Sequence, residues 1–371
     1  TGLLTALPIL ILAVGAWPSG FIIERLGGRV CVSIGLALLG AGTLLRALAP
    51  GVATLFLFTL LLSLGIALGQ TAVPVLARQW FPRHIGLVAA LFSDGLILGE
   101  AAAAGLTVPV MALFLGNNAW RSSFIFWGIP VVALLVLWLW LAPAGKATKS
   151  ISPPDILVST IPRNNSVPKQ RTRVSALHLG VMIGCGSLIY FGMNAWIASY
   201  NQAIHHMDLT PLALATLNVA QLPSSLGVTL FAQQIAGRRW PFIVAGAICA
   251  VSIAGWIFTP AALEPLWAVL LGGSSALVFT LGLALPPLLA RQDEVARLTG
   301  ISFSLTYAVA FVGPFIGGEL WDIFHLPAVA FVPVVAASIL LILLGSFLPS
   351  RATFGLIERQ DAPEKQAISG E

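Results

Sequence analysis

Apolar residues run along this chain in eleven long stretches: 2–23, 30–49, 52–77, 86–115, 121–142, 174–200, 211–236, 242–260, 264–290, 299–324 and 327–348. Each is near the roughly 20 residues an α-helix needs to cross hydrocarbon. None alternates strictly between apolar and polar positions, as strands of a membrane barrel do. A helix also satisfies its own backbone hydrogen bonds, which a bilayer interior demands. The pattern predicts an all-α polytopic membrane protein whose stretches are joined mostly by short turns.

Composition sharpens this. Of 371 residues, 58% are hydrophobic and 9% charged, with a mean hydropathy of +0.94. A soluble domain carries about 25% charged residues, so so few charges cannot cover a water-facing surface. Cys31, Cys185 and Cys249 all fall inside apolar stretches, with no metal-ligand spacing among them. The net charge of +5 is scattered through loops and is no nucleic-acid signal. Its distribution does fix a topology. All but Arg46 and Arg121 of the 19 Lys and Arg fall on one face of the predicted membrane. Basic loops favour the cytoplasm, so the linker and C-terminus are expected there, in a bacterial inner membrane.

The organisation expected is an N-terminal transmembrane half (1–142), a cytoplasmic linker (143–173), a C-terminal half (174–348) and a cytoplasmic tail (349–371). An internal repeat supports two halves. Pro74-Val-Leu-Ala-Arg78-Gln79 ends the third stretch and Pro287-Leu-Leu-Ala-Arg291-Gln292 ends the ninth. The likeness continues, with Gly86, Gly99 and Leu106 falling against Gly300, Gly313 and Leu320. Repeated halves are common in transporters. The second hexapeptide follows four stretches of its half and the first follows three, which leads to the expectation of two halves of six with the first helix missing.

Between the first two stretches the chain reads Gly20-Phe-Ile-Ile-Glu24-Arg25-Leu-Gly27-Gly-Arg29. This resembles the loop G-x-x-x-D-R-x-G-R-R/K of the major facilitator superfamily, with Glu24 for the Asp and Gly28 for one basic residue. The resemblance implies alternating access, and a gating loop of Gly20, Glu24, Arg25, Gly27 and Arg29 with Arg78 at a nearby helix end. Physically, Gly20 lets helices approach closely, Gly27 permits a tight turn, and Glu24 can attract Arg78 or a helix N-terminus. Looser matches, Leu44-Leu45-Arg46-Ala47, Phe81-Pro82-Arg83-His84-Ile85-Gly86-Leu87 and Ala119-Trp120-Arg121, are similar to the cyanate and 2-nitroimidazole transporter branch.

Polar residues inside hydrocarbon are costly and mark protein-lined or water-lined faces. Ser187, Tyr190 and Asn194 share one helix face, as do Asn218, Gln221, Ser225 and Thr229. With Gln70 from the first half and Arg46 at the outer mouth, the expected substrate contacts are Gln70, Ser187, Tyr190, Asn194, Asn218, Gln221 and Arg46. Interhelical hydrogen bonding is the plainer role for each. Asp94 and Glu100 are acids within one stretch, six residues apart and so on different faces. A carboxyl in a low-dielectric site can carry a proton near neutrality, which makes both proton-coupling candidates. The five histidines lie in loops or near span ends, and neither G-x-S-x-G nor H-E-x-x-H occurs, so no enzyme is expected.

The function expected is secondary active transport of a small polar or anionic solute by a monomer, with protons as a further partner. No cofactor, metal or nucleic acid is expected. Export of drug-like or nitroaromatic compounds, and a non-transporting receptor or scaffold, are the alternatives.

Overall fold

The computed structural model describes residues 2–114, 119–143, 174–290 and 294–348. Most of the linker, the tail and Arg291 lie outside the described residues, and so do the roles expected of them. The described chain forms twelve α-helices and no strand. They are α1 (Gly2–Leu26), α2 (Gly28–Ala47), α3 (Val52–Trp80), α4 (Ile85–Phe114), α5 (Ala119–Leu141), α6 (Ala176–Ala203), α7 (Thr210–Val219), α8 (Gln221–Ile235), α9 (Trp240–Phe258), α10 (Glu264–Leu289), α11 (Val295–Phe324) and α12 (Val332–Ser346). Among the described residues, eleven segments are long and apolar enough to cross a membrane, α7 and α8 together making one.

The stretch 211–236, read from sequence as one continuous helix, is broken at Ala220. Pro223 sits on the third residue of α8. It has no N–H to offer the Val219 carbonyl, and its ring clashes with that carbonyl. α7 therefore ends at Val219, and a new helix starts at Gln221. Lipid would punish freed backbone groups, so such breaks occur where a helix borders protein or a cavity.

Helices α1, α2, α3 and α5 pack among themselves, as do α6 and α7 to α12. Hydrophobic burial cannot drive this association, because lipid is as apolar as the side chains. Close backbone approach does the work instead. The outer faces stay apolar: Leu230 is 80% and Phe258 83% exposed, fit for contact with acyl chains.

The two groups meet along α1 with α11 and along α4 with α8 and α10, helped by α3 with α10 and α11. The repeat explains the arrangement. A Cβ on Gly300 of α11 would meet the Ala16 carbonyl oxygen of α1 at 2.7 Å. One on Gly86, its counterpart on α4, would meet Ala236 Cβ at 2.8 Å and the Ala232 carbonyl oxygen at 3.2 Å, beside α8. Both repeat-related glycines thus seal the contact between the two groups. Both seals lie at the face carrying the basic turns after α1, α3, α8 and α10.

Candidate binding cavity

A cavity of about 210 Å³ lies between the two groups of helices. α1 contributes Leu12, α3 Gln70, and α4 Leu96, Ile97 and Glu100. From the other side come Ser187, Tyr190 and Phe191 of α6, Gln221 at the start of α8, Ser275 and Phe279 of α10, and Tyr307 of α11. The wall is mostly aromatic and aliphatic, with a few hydrogen-bonding groups aimed inward, the usual build of a small-molecule site.

Those groups are held by each other. Gln70 Nε2 donates to the Tyr307 hydroxyl at 2.5 Å, bridging α3 and α11. On the opposite wall, Asn218 Nδ2 donates to the Leu214 carbonyl (2.8 Å) and to Asn194 Oδ1 (3.1 Å). Asn194 Nδ2 donates in turn to the Tyr190 carbonyl at 3.0 Å. Asn218 Oδ1 is thereby fixed as an acceptor, and it takes the Tyr190 hydroxyl proton at 2.7 Å. Glu100 Oε2 stands 3.3 Å from the same hydroxyl. A phenol has one proton to donate, and the shorter contact claims it. Glu100 is left with acceptor capacity toward the cavity it lines.

A second polar cluster sits between the cavity and the sealed face. Thr229 of α8 donates to Asp94 Oδ2 at 2.8 Å. Ser93 and Thr280 share a hydrogen bond of 2.7 Å, and Ser225 lies 3.3 Å from Thr280. This cluster joins α4 to both α8 and α10. Nearby, Ser304 of α11 donates to the Ala13 carbonyl of α1.

The comparisons with known proteins agree with this architecture. The Major Facilitator Superfamily matches residues 1–314 of the chain. The chain belongs to the Major Facilitator Superfamily. Among its relatives is a transporter of Bacillus subtilis, 26% identical over 344 residues, 92% of this chain and 82% of that one. The 2-nitroimidazole transporter of Escherichia coli is 28% identical, covering 87% of this chain and 79% of its own. The cyanate transport protein of E. coli is also 28% identical, covering 86% and 80%. Among solved structures, the proton:xylose symporter bound to 6-bromo-6-deoxy-D-glucose superposes with a TM-score of 0.72 at 15% identity, covering 94% of this chain and 86% of that one. A superfamily transporter in an outward conformation gives 0.72 at 12% identity, covering 94% and 90%. The protein is a multi-pass membrane protein of this transporter superfamily.

Within that superfamily frame, the structure places each expected residue. Gln70, Ser187, Tyr190 and Gln221 line the cavity, and Glu100 joins them. Asn194 and Asn218 stand behind Tyr190 and fix its hydroxyl. Arg46 lies elsewhere: its guanidinium covers the Phe124 ring at 4.2 Å, between α2 and α5. Asp94 lies in the polar cluster between the cavity and the sealed face. Tyr307, Ser275, Phe191 and Phe279 were not anticipated. Tyr307 did carry a signal, being one of only three tyrosines in the chain.

The superfamily loop is also on the page. Gly27 has φ +82° and turns the chain between α1 and α2. A Cβ on Gly20 would meet the Ala296 carbonyl oxygen at 2.8 Å, so this glycine serves the α1–α11 seal. Arg29 donates to the Leu139 carbonyl at 3.4 Å, at the end of α5. Glu24 and Arg25 are exposed. Arg78, expected against Glu24, donates instead to the Pro287 carbonyl at 2.7 Å. The two repeated hexapeptides therefore touch each other across the seal.

Proposed function

We propose that the protein is a secondary active transporter that carries a small polar solute across the bacterial inner membrane by alternating access. The observation that carries this reading is the cavity itself. It is lined from both groups of helices and backed at one face by glycine-tight contacts. A solute held by Gln70 on one side and by Tyr190, Gln221 and Tyr307 on the other touches both groups at once. Rocking of the groups about it would exchange the sealed face for the open one.

The basic turns favour a sealed face directed to the cytoplasm. Asp94 and Glu100 are the acids through which a proton gradient would act. Asp94 links α4 to α8, and Glu100 shares Tyr190 with the solute site. Cyanate and 2-nitroimidazole, the solutes named for two relatives, are the first to try.

The test is uptake and efflux in proteoliposomes carrying the full chain. Cyanate, small carboxylates and nitroimidazoles are offered with and without a pH gradient. Saturable flux that rises with the gradient and falls to background in Tyr190→Ala supports the reading. Flux unchanged by Tyr190→Ala and by Gln221→Ala would place the path elsewhere.

A further inference from the structure

The cavity carries information on the charge of what it binds. Among the described residues its lining holds one carboxylate, Glu100, and no Lys, Arg or His. The cation expected from sequence among the solute contacts, Arg46, lies over Phe124 and is not among the described lining residues. The remaining polar groups are hydroxyls and amides: Gln70, Ser187, Tyr190, Gln221, Ser275 and Tyr307. The Tyr190 proton is taken by Asn218, so Glu100 is an acceptor looking for a donor.

From this we infer that the cavity selects flat, N–H-donating ring compounds, cationic or neutral, and discriminates against free anions. The inference rests on the cavity being the solute site. Three features of the geometry support it. With Glu100 ionised, an anion placed against it meets a like charge with no compensating cation among the described lining residues, whereas a cation gains the same interaction with opposite sign. Phe191, Phe279 and the two tyrosines present ring surfaces that stack on flat solutes and attract cations. The volume of about 210 Å³ suits a single substituted ring. A neutral N–H donor still satisfies Glu100, so it falls between cation and anion.

The experiment uses three probes of one shape and three charges: benzamidine (cation), benzamide (neutral) and benzoate (anion). Each is titrated calorimetrically into the purified full chain at neutral pH. The expected order is benzamidine, then benzamide, then benzoate, with at least about tenfold between first and last, the size of one charge contact in a partly wet site. Glu100→Gln keeps the shape and removes the charge; it is expected to bring the three probes within about threefold. Glu100→Ala repeats the test if the first variant misfolds.

Leu96→Trp, at a half-exposed lining position, fills the cavity and is expected to abolish binding of all three. Benzoate binding as tightly as benzamidine, yet lost in Leu96→Trp, overturns the charge inference and leaves the cavity as the site. Binding untouched by Leu96→Trp overturns the cavity as the site. A spread of affinities that persists in Glu100→Gln, or no binding of any probe at millimolar concentration, also overturns the inference.

Discussion

Thr229 of α8 donates its hydroxyl to Asp94 of α4 at 2.8 Å, joining the two groups of helices between the cavity and the sealed face. Asp94 is 5% exposed, and its second oxygen has no hydrogen-bond partner among the described residues. A buried carboxylate with so few donors depends on each one. Removing a partner of a buried charged group costs about 1–3 kcal/mol or more. Thr229→Val keeps the side-chain shape and deletes the donor. The expected outcome is a looser seal. A cysteine placed at Ala232, which is buried beside Gly86, should react with a membrane-impermeant maleimide about tenfold faster, the equivalent of about 1.4 kcal/mol. Asp94→Asn keeps an acceptor for Thr229 and should label at the parent rate. Equal labelling of Thr229→Val and parent would remove this bond from the mechanism. The native cysteines are all buried and give a low background.

The two glycine seals should differ in tolerance. At Gly300 an added methyl meets backbone, the Ala16 carbonyl oxygen at 2.7 Å, and backbone cannot swing aside. At Gly86 the nearest atom is Ala236 Cβ at 2.8 Å, and the backbone oxygen of Ala232 is farther off at 3.2 Å. Ala236 Cβ has no rotamer of its own but sits on the C-cap of α8, where the chain leaves the helix and can shift more readily than mid-helix backbone. Overpacking of this kind costs about 1–3 kcal/mol. Gly300→Ala is expected to hold the basic face open and to abolish transport while leaving the protein monodisperse in detergent. Gly86→Ala should retain part of the flux. Accessibility of a cysteine at Ala296, measured in both variants, checks the order. A greater opening in Gly86→Ala than in Gly300→Ala would contradict it.

Much of this was legible in the sequence, because hydropathy reports directly on burial in lipid. The spans follow from composition, and Gly20, read as a point of close helix approach, does lie against the Ala296 carbonyl of α11. The stripes Ser187–Tyr190–Asn194 and Asn218–Gln221–Ser225–Thr229 were visible as helical periodicity, and the structure turns both toward the centre. What was hidden depends on partners without a sequence signature. Arg78 ends on a backbone carbonyl, that of Pro287, and any residue has such an oxygen. Gln70 meets Tyr307 across 237 positions, a pairing that periodicity cannot reveal. Arg46 looked like a mouth residue because it breaks the charge rule, yet its guanidinium lies over Phe124.

Arg46 and Tyr190 therefore make a paired prediction. Tyr190→Phe leaves the ring but removes a hydroxyl whose proton goes to Asn218 and whose oxygen is free to accept from a donor in the cavity. A lost hydrogen bond of this kind is worth about 1 kcal/mol, so the affinity for solute should fall roughly fivefold. Arg46→Ala removes a cation–π contact between α2 and α5, worth about 0.5–2 kcal/mol. It should lower the melting temperature in detergent by a few degrees with little change in solute affinity. Calorimetry and thermal melting on both variants separate the effects. An Arg46→Ala variant that melts normally but binds weakly would return this arginine to the solute site.

Pro223 offers the most specific test of how the fold shapes the cavity. The break at Ala220 exists because Pro223 cannot donate to Val219 and crowds its carbonyl. Gln221, the first residue of α8, lines the cavity at that break. Pro223→Ala restores the donor and removes the clash, so α7 and α8 can join as one helix. Proline in a helix interior costs about 3 kcal/mol relative to alanine. Here it sits in the first turn of α8, where the penalty is smaller. The variant should therefore melt at an equal or higher temperature. Its uptake should fall severalfold, because a continuous helix carries Gln221 away from Tyr190 and Ser275. Loss of uptake without loss of stability is the result that distinguishes a shaped site from a damaged fold. A variant with both properties unchanged would show that the break is held by packing on α10 rather than by the proline.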